Sequence, residues 1–586
     1  LALRAAAAVQ DGNSWRKWEG SERQVAFLTA AYKLTPTTII NARAESIVYK
    51  ATVGIAIPGI RIPTGISATS ATAAPTVGQY AFGYVPESIL PWDFNPHGPN
   101  NFRTSRQYRV GADLQHKFND TYSLHAATTW SMSSRRDLRL SGSAATLIAR
   151  FLNPALGSVE GNVVPDEIRW AGTNDNEKWD IWTYQADLRG QFHYWGLKHE
   201  AILGVERIES RNWRKRWDTP NSSSTALGAA PSSDRNALTR YKFPTSASGA
   251  LSADAFQPAW AEMTDVSRYT VPNSYIDQSL VRGAVSFTNV FGTNDDHWHA
   301  LIGARRDHGV NSALNGTSIA NATPAALPKE NATSETIGLL YRPWSPVSVY
   351  VSFSNSFSGV PTGTDVYGGL LNKPESGKSQ EAGIKTSLLN GKLGFEAAVF
   401  KLDRTNVRRQ LSDTEVIAIL GFLPSGGRYV QDNGEKSQGY EAQVLYRPFK
   451  AYQVAANFSY IDTQLVAPDN RIRDGGPITG RPRSNGSVFH KYSFQTEALK
   501  GFSVNNAVVW VDGFRPDSIS ATTGLVTHYM PGYIRLDFGA GYTRKLFNRP
   551  WTFTFSVRNV ENKKIMEGLQ SKGDMRSFRF GASALF

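Results

Sequence analysis

The chain contains no cysteine in 586 residues. Disulfide frameworks, thiolate metal sites and cysteine nucleophiles are thereby excluded. Long apolar runs are missing too. No stretch of about 18 apolar residues occurs, so no helix is expected to cross a bilayer. Enzymatic motifs fail on inspection. Gly377, Lys378 and Ser379 resemble the end of a phosphate-binding loop, but Asn372 stands where the first glycine is needed. Gly539 and Gly541 begin a dinucleotide fingerprint that Arg544 breaks. His297 and His299 share a strand face with no evident third ligand nearby, and His308 lies further along. No nucleophile elbow is present. Neither an enzyme nor a cofactor is expected.

What the chain has in abundance is alternation. Tyr122, Leu124, Ala126, Thr128 and Trp130 alternate with smaller or polar residues. Val347, Val349, Val351 and Phe353 do the same, as do Leu393, Phe395, Ala397 and Val399, and Trp551, Phe553, Phe555 and Val557. At the C-terminus Phe578, Phe580, Ala582, Ala584 and Phe586 share one strand face, because strand side chains point alternately to opposite sides. Segments near ~10 residues, apolar on one side only, are what a transmembrane β-barrel needs. Soluble sandwiches alternate as well, so a soluble carbohydrate enzyme or lectin is a further reading. The 15 Trp, 23 Tyr and 29 Phe suit interfacial girdles or a sugar-binding surface.

Connections alternate in length. Short turns fall at Asn119-Asp120, Trp195-Gly196, 342–346, Asn390-Gly391, 448–450 and 547–550. Long polar segments lie between them, at about 51–104, 138–177, 214–280, 311–331, 359–377, 410–435, 467–484 and 515–530. This asymmetry fits a barrel with periplasmic turns at one end and extracellular loops at the other. The expected fold is all-β: a transmembrane antiparallel β-barrel occupying 1–586, with about 20 strands visible.

Several segments carry a family likeness: Leu1 to Arg4, Trp15-Arg16, Glu22-Arg23, Ser348 to Phe357, Pro374 to Lys385, Leu402 to Val407, Gly439 to Glu441, Arg558 to Lys564 and the terminal Phe586. In order and spacing they resemble the barrel of TonB-dependent outer-membrane receptors, closest to the ferric-siderophore branch. The resemblance implies 22 strands, a plug inside the bore, coupling to a TonB complex through that plug, and residence in the outer membrane of a Gram-negative-type bacterium. Leu1 to Arg4 resemble the third strand of such barrels. The plug and first hairpin are therefore expected to lie outside this sequence, as is a signal peptide, since the chain starts at Leu1. The function implied is uptake of a ferric siderophore or similar large, scarce solute; the alternative is a passive porin-like or structural barrel.

Formal charge is +13 at pH 7, from 63 basic and 50 acidic side chains. The basic residues are spread over many strand ends with no compact module, so nucleic acid is not an expected partner. Candidate ligand residues are aromatic and basic clusters at loop bases: Tyr80, Phe82, Tyr84 and Trp92; Arg135 and Arg136; Trp213, Arg214, Arg216 and Trp217; Arg408 and Arg409. Guanidinium groups would hold an anionic metal chelate, and aromatic faces would pack on it. The same residue types also serve as anchors at the lipid interface and as contacts for lipopolysaccharide.

Overall fold

A computed structural model describes the chain except residues 53–58, 64–79, 85–91, 94, 96–97, 142–146, 149–166, 169–170, 219–240, 243–264, 326, 328, 362–363, 370, 412, 423, 425–428, 467–473, 479, 515–529, 569–570 and 585–586. Its main sheet has 21 strands, one of them the three-residue Thr323–Ala325. The others form the wall. In chain order they begin with β1 (Ala2–Asn13), β2 (Gly20–Thr35), β3 (Thr38–Ala51), β4 (Phe102–Lys117), β5 (Tyr122–Ser141), β6 (Ala171–Tyr194) and β7 (Leu197–Asp218). Next come β8 (Val271–Thr293), β9 (Trp298–Gly316), β10 (Glu330–Trp344), β11 (Val347–Phe357), β12 (Ser376–Leu388), β13 (Leu393–Gln410) and β14 (Tyr429–Phe449). The last six are β15 (Tyr452–Val466), β16 (Ser484–Ser493), β17 (Phe502–Val511), β18 (Tyr533–Leu546), β19 (Arg549–Arg558) and β20 (Ser577–Ala584).

Each wall strand pairs antiparallel with its successor, so the topology is a continuous meander. Among the described residues β1 carries a ladder only to β2, and β20 only to β19. The short turns all lie at one end. Trp195 and Gly196 have φ of 49° and 74°, and Phe547 and Asn548 have 52° and 60°. Two consecutive left-handed residues make the tight turn that suits the right-handed twist of a hairpin. Beyond the expected turns, the same end has connections at 36–37, 294–297 and 494–501, and the opposite end gains a long loop at 559–576.

Apolar side chains on one face of the wall stay uncovered. Val205, Val285, Ile337, Val351 and Val399 are each more than half exposed. A sandwich would bury such residues against a second sheet; a lipid-facing barrel leaves them outside. Buried apolar clusters are instead small and lie at loop ends, beside single buried residues of the wall such as Ala284 and Ala398. Val366, Leu411 and Val416 pack beside helix α1 (Asp413–Leu420), and Phe514, Met530 and Met566 pack with Trp92. No helix in the described residues is long and apolar enough to cross a membrane.

Several expected loops are shorter than the sequence reading placed them, 311–331 and 410–435 among them, and two are trimmed most. β5 runs to Ser141 and β6 starts at Ala171, so 138–177 is largely strand at its ends. β7 runs to Asp218 and β8 starts at Val271, which trims 214–280 likewise. The cause is physical: beyond the bilayer both faces of a strand meet water, so apolar alternation disappears although the ladder continues.

Candidate functional site

The loop-ward halves of β4 to β8 carry a charged collar on the bore face. Successive side chains alternate across a strand, so Arg135 and Asp137 share a face, as do Thr173, Asp175 and Glu177, and Arg214, Arg216 and Asp218. The ladders set Arg103 opposite Asp137, Asp175 opposite Asp137 and Arg216, and Thr173 opposite Arg139 and Asp218. Lower on the same faces lie Asp113, Thr129 and Gln185, which line a polar cleft of about 750 Å³ together with Arg43 and Arg109. The opposite faces carry Trp182, Tyr184, Leu203 and Val205, all exposed. The collar therefore faces the bore.

Its bonds are mostly two-pronged. Arg103 donates Nε and Nη2 to both oxygens of Asp137 at 2.8 and 2.7 Å. Arg214 does the same to Asp175 at 2.9 and 2.6 Å. Arg216 donates to both oxygens of Asp218 at 2.9 and 3.2 Å. Asn273 Nδ2 adds a third donor to Asp218 at 2.6 Å. Arg135 Nη2 meets Glu177 at 2.7 Å. The Asp137 and Asp175 side chains are fully shielded from water. Charge-assisted forks of this kind are the strong class of hydrogen bond. They hold the Arg103 and Arg214 guanidinium groups above the ordinary arginine range, each through its bond to the facing carboxylate. Arg139 shifts the other way: burial lowers it most, Asp137 and Asp175 offset part of that, and Arg103 and Arg216 add repulsion.

The expected residues separate into groups. Arg135, Arg214 and Arg216 meet in the collar, within strands rather than at loop bases. Arg136, Trp213 and Trp217 lie on the other face. The Arg136 guanidinium sits 5.7 Å from the Phe102 ring centre, and Lys215 stands 4.8 Å over Trp213. Also on that face, Arg211 forks to Asp277 at 2.9 and 2.8 Å. Arg408 and Arg409 belong to β13, eight strands further along the sheet. Arg408 covers Tyr429 at 4.7 Å, and Arg409 pairs with Glu415 of α1 at 2.9 Å. Their neighbour Arg404 reaches Glu435 at 3.0 Å and Glu375 at 2.5 Å.

Trp92 joins loops from distant parts of the chain. It stacks on Trp15 at 6.4 Å, its carbonyl accepts from Lys572 Nζ at 2.7 Å, and that ammonium stands 4.5 Å over its ring. Tyr80, Phe82 and Tyr84 form a short strand, Tyr80–Tyr84, paired with Gly59–Pro63; their side chains lie outside the described residues. Two of the histidines have ordinary partners: His297 Nδ1 contacts the Arg342 carbonyl at 2.6 Å, and His308 contacts Asn331 at 2.8 Å; His299 Nε2 is buried without a hydrogen bond. No group of three metal-ligating side chains occurs among the described residues. Sequence reasoning missed Arg103, Asp137, Asp175, Glu177 and Asp218. For Asp137 and Asp218 the available signal was an opposite charge two residues away, Arg135 and Arg216; Arg103, Asp175 and Glu177 carry no such signal.

Comparison with known proteins bears on this geometry. A family model, "TonB dependent receptor-like, beta-barrel", matches residues 61–560. The metal-pseudopaline receptor of Pseudomonas aeruginosa is 24% identical over 438 residues, covering 74% of this chain and 52% of that protein. The ferrioxamine B receptor of Salmonella typhimurium is 24% identical over 277 residues, covering 47% of this chain and 36% of that one. The chain thus spans about half the length, or less, of these curated relatives. Among solved structures, the pyoverdine outer membrane receptor of Pseudomonas aeruginosa matches with a TM-score of 0.72 at 16% identity, over 99% of this chain and 73% of that chain. The ferric preacinetobactin receptor of Acinetobacter baumannii matches with a TM-score of 0.70 at 15% identity, over 99% and 75%. At such identity the structural likeness concerns the fold.

Proposed function

The chain belongs to the TonB dependent receptor-like β-barrel family, and on that premise we propose that it takes up a ferric siderophore or another large, scarce metal chelate. It is an outer-membrane barrel with long loops outside and short turns in the periplasm. The observation that carries the reading is the collar: three strands, β4, β5 and β7, project guanidinium groups into the bore, at the end where the long loops stand. A metal chelate arriving from outside meets that collar before the rest of the bore. With five arginines to four carboxylates on its bore face, the collar carries a net positive charge that attracts anionic oxygens. The relatives' names, receptors for metal-pseudopaline and ferrioxamine B, support the same class of solute.

Two partners complete the reading. Energy would come from a TonB complex acting on a plug in the bore, as in the family. On the outer face, Arg106, Arg136 and Lys215 lie on the loop-ward parts of their strands, where lipopolysaccharide phosphates would meet them.

Uptake of radiolabelled ferric chelates by iron-starved cells carrying the chain tests the proposal. Saturable accumulation that stops when the inner membrane is de-energised is the expected result. Unsaturable passage of small solutes, indifferent to energy, would instead identify a passive channel.

A further inference from the structure

The collar has one more cation than it has anions. Arg103, Arg135, Arg139, Arg214 and Arg216 share the bore face with Asp137, Asp175, Glu177 and Asp218. Each carboxylate is already held by another arginine: Asp137 by Arg103, Asp175 by Arg214, Glu177 by Arg135 and Asp218 by Arg216. Arg139 is left over. It lies opposite Thr173, whose hydroxyl is committed to Asp218 at 3.2 Å. Its Nε is buried and has no hydrogen-bond partner. No carboxylate lies within ion-pair distance among the described residues; Asp137 and Asp175 attract it from further off, while Arg103 and Arg216 repel it.

A half-buried guanidinium whose shielded Nε has no acceptor carries a cost unless something satisfies it. The neighbours cannot, since their forks are closed on one another. They do supply a rigid frame that keeps Arg139 in place and cannot collapse onto it. We propose that Arg139 is an anion-receiving residue, which binds an oxyanion of the incoming metal chelate and so makes the receptor prefer negatively charged chelates to neutral ones. The ligand chemistry is a carboxylate or a metal-bound catecholate oxygen, whose planar or paired acceptors match a guanidinium fork. This rests on the receptor reading above and sharpens it. The other arginines stabilise the collar; Arg139 selects the cargo.

The test compares two iron complexes that differ in charge. Three catecholates give ferric iron a net charge of about −3, whereas three hydroxamates give about 0, by simple addition of ionised oxygens. The full chain in outer-membrane vesicles would be titrated with both, as wild type, Arg139→Gln and Arg139→Lys. Wild type should bind the anionic complex more tightly. Arg139→Gln should weaken that binding by roughly 10- to 100-fold, the range for one hydrogen bond to a charged group, and leave the neutral complex within about twofold. Arg139→Lys should keep part of the preference, having charge without the fork. Equal loss for both complexes, or no loss for the anionic one, overturns the role of Arg139 while leaving receptor function standing. Failure of wild type to bind any ferric complex overturns the receptor reading and this inference with it. Unchanged heat-modifiable migration of each variant would establish that the barrel is intact.

Discussion

The two sides of this barrel differ in height and in what braces them. Strands β5, β6, β7 and β8 have 20, 24, 22 and 23 residues, whereas β16, β17 and β19 have 10 each. A tilted strand needs about 9–11 residues to cross the hydrocarbon. Because the short turns gather at one end, the surplus of the tall side stands outside the bilayer, in water on both faces. There the ladder is braced by bidentate ion pairs around shielded carboxylates. The short side barely clears the membrane, and its loops pack an apolar cluster of Phe514, Met530 and Met566 against Trp92. Where strands project, charge pairing holds neighbours in register; where loops fold over strand ends, apolar burial does. The proposed ligand site lies on the first side, where such forks cluster; among the described residues the short side also turns one towards the bore, Arg535 with Asp537.

The largest expected effect is at Asp137. Asp137→Ala leaves Arg103 without its forked acceptor, and Arg135 loses a carboxylate 3.6 Å from its Nε. Arg103 and Arg135 are partly open to water and can be rehydrated, so the cost is about 3 kcal/mol, the upper end for a lost hydrogen bond to a charged group. The loss should be local. Amide hydrogen exchange should accelerate in β4, β5 and β6 beyond Arg135 and stay unchanged in β16 to β19. Equal acceleration on both sides would break the contrast between them. Met530→Ala is the mirror experiment. Met530 is fully buried, but its cluster is small and near the surface, so a cost of about 2 kcal/mol is expected. Proteolysis should then cut the loop around Met530 faster, with the tall side's exchange rates unaltered.

The same contrast governs what could be read from the chain before its structure. Strands within the bilayer were legible because lipid demands an apolar residue at every second position: Val349 and Val351, or Phe395 and Val399, announce themselves. Trp195-Gly196 and Asn390-Gly391 were legible as turns for a local reason as well. Above the bilayer that demand ends, and the upper parts of β5 to β8 read as polar loop. Alternation alone separates Arg135 from Arg136, and Arg214 and Arg216 from Trp213 and Trp217, once the segments are known to be strands. Which carboxylate meets which arginine is another matter. The pairing of Arg103 with Asp137, or Arg214 with Asp175, depends on the register between strands more than 30 residues apart, and no local pattern encodes it. The Trp92 cluster is harder still, because its members come from loops hundreds of residues apart.

The smallest expected effect tests whether shielding, rather than ion pairing as such, strengthens the tall side. Arg211 and Asp277 form a fork as regular as those in the collar, but on the outward face, where Arg211 is 65% exposed. Its bond holds the Asp277 carboxyl below the ordinary aspartate range. A carboxyl with a depressed folded pKa contributes stability above its unfolded value, near 4, and loses it as pH falls through the folded value. Asp277→Asn should therefore differ from wild type at neutral pH and converge with it well below pH 4. Solvent screening limits the difference to about 0.2–1 kcal/mol, and raised salt should shrink it further. Exchange rates of the β7 and β8 amides around this pair, followed across pH, would report it. A loss as large as that of Asp137→Ala would mean that geometry alone sets the strength of these forks and that burial of the carboxylate contributes nothing.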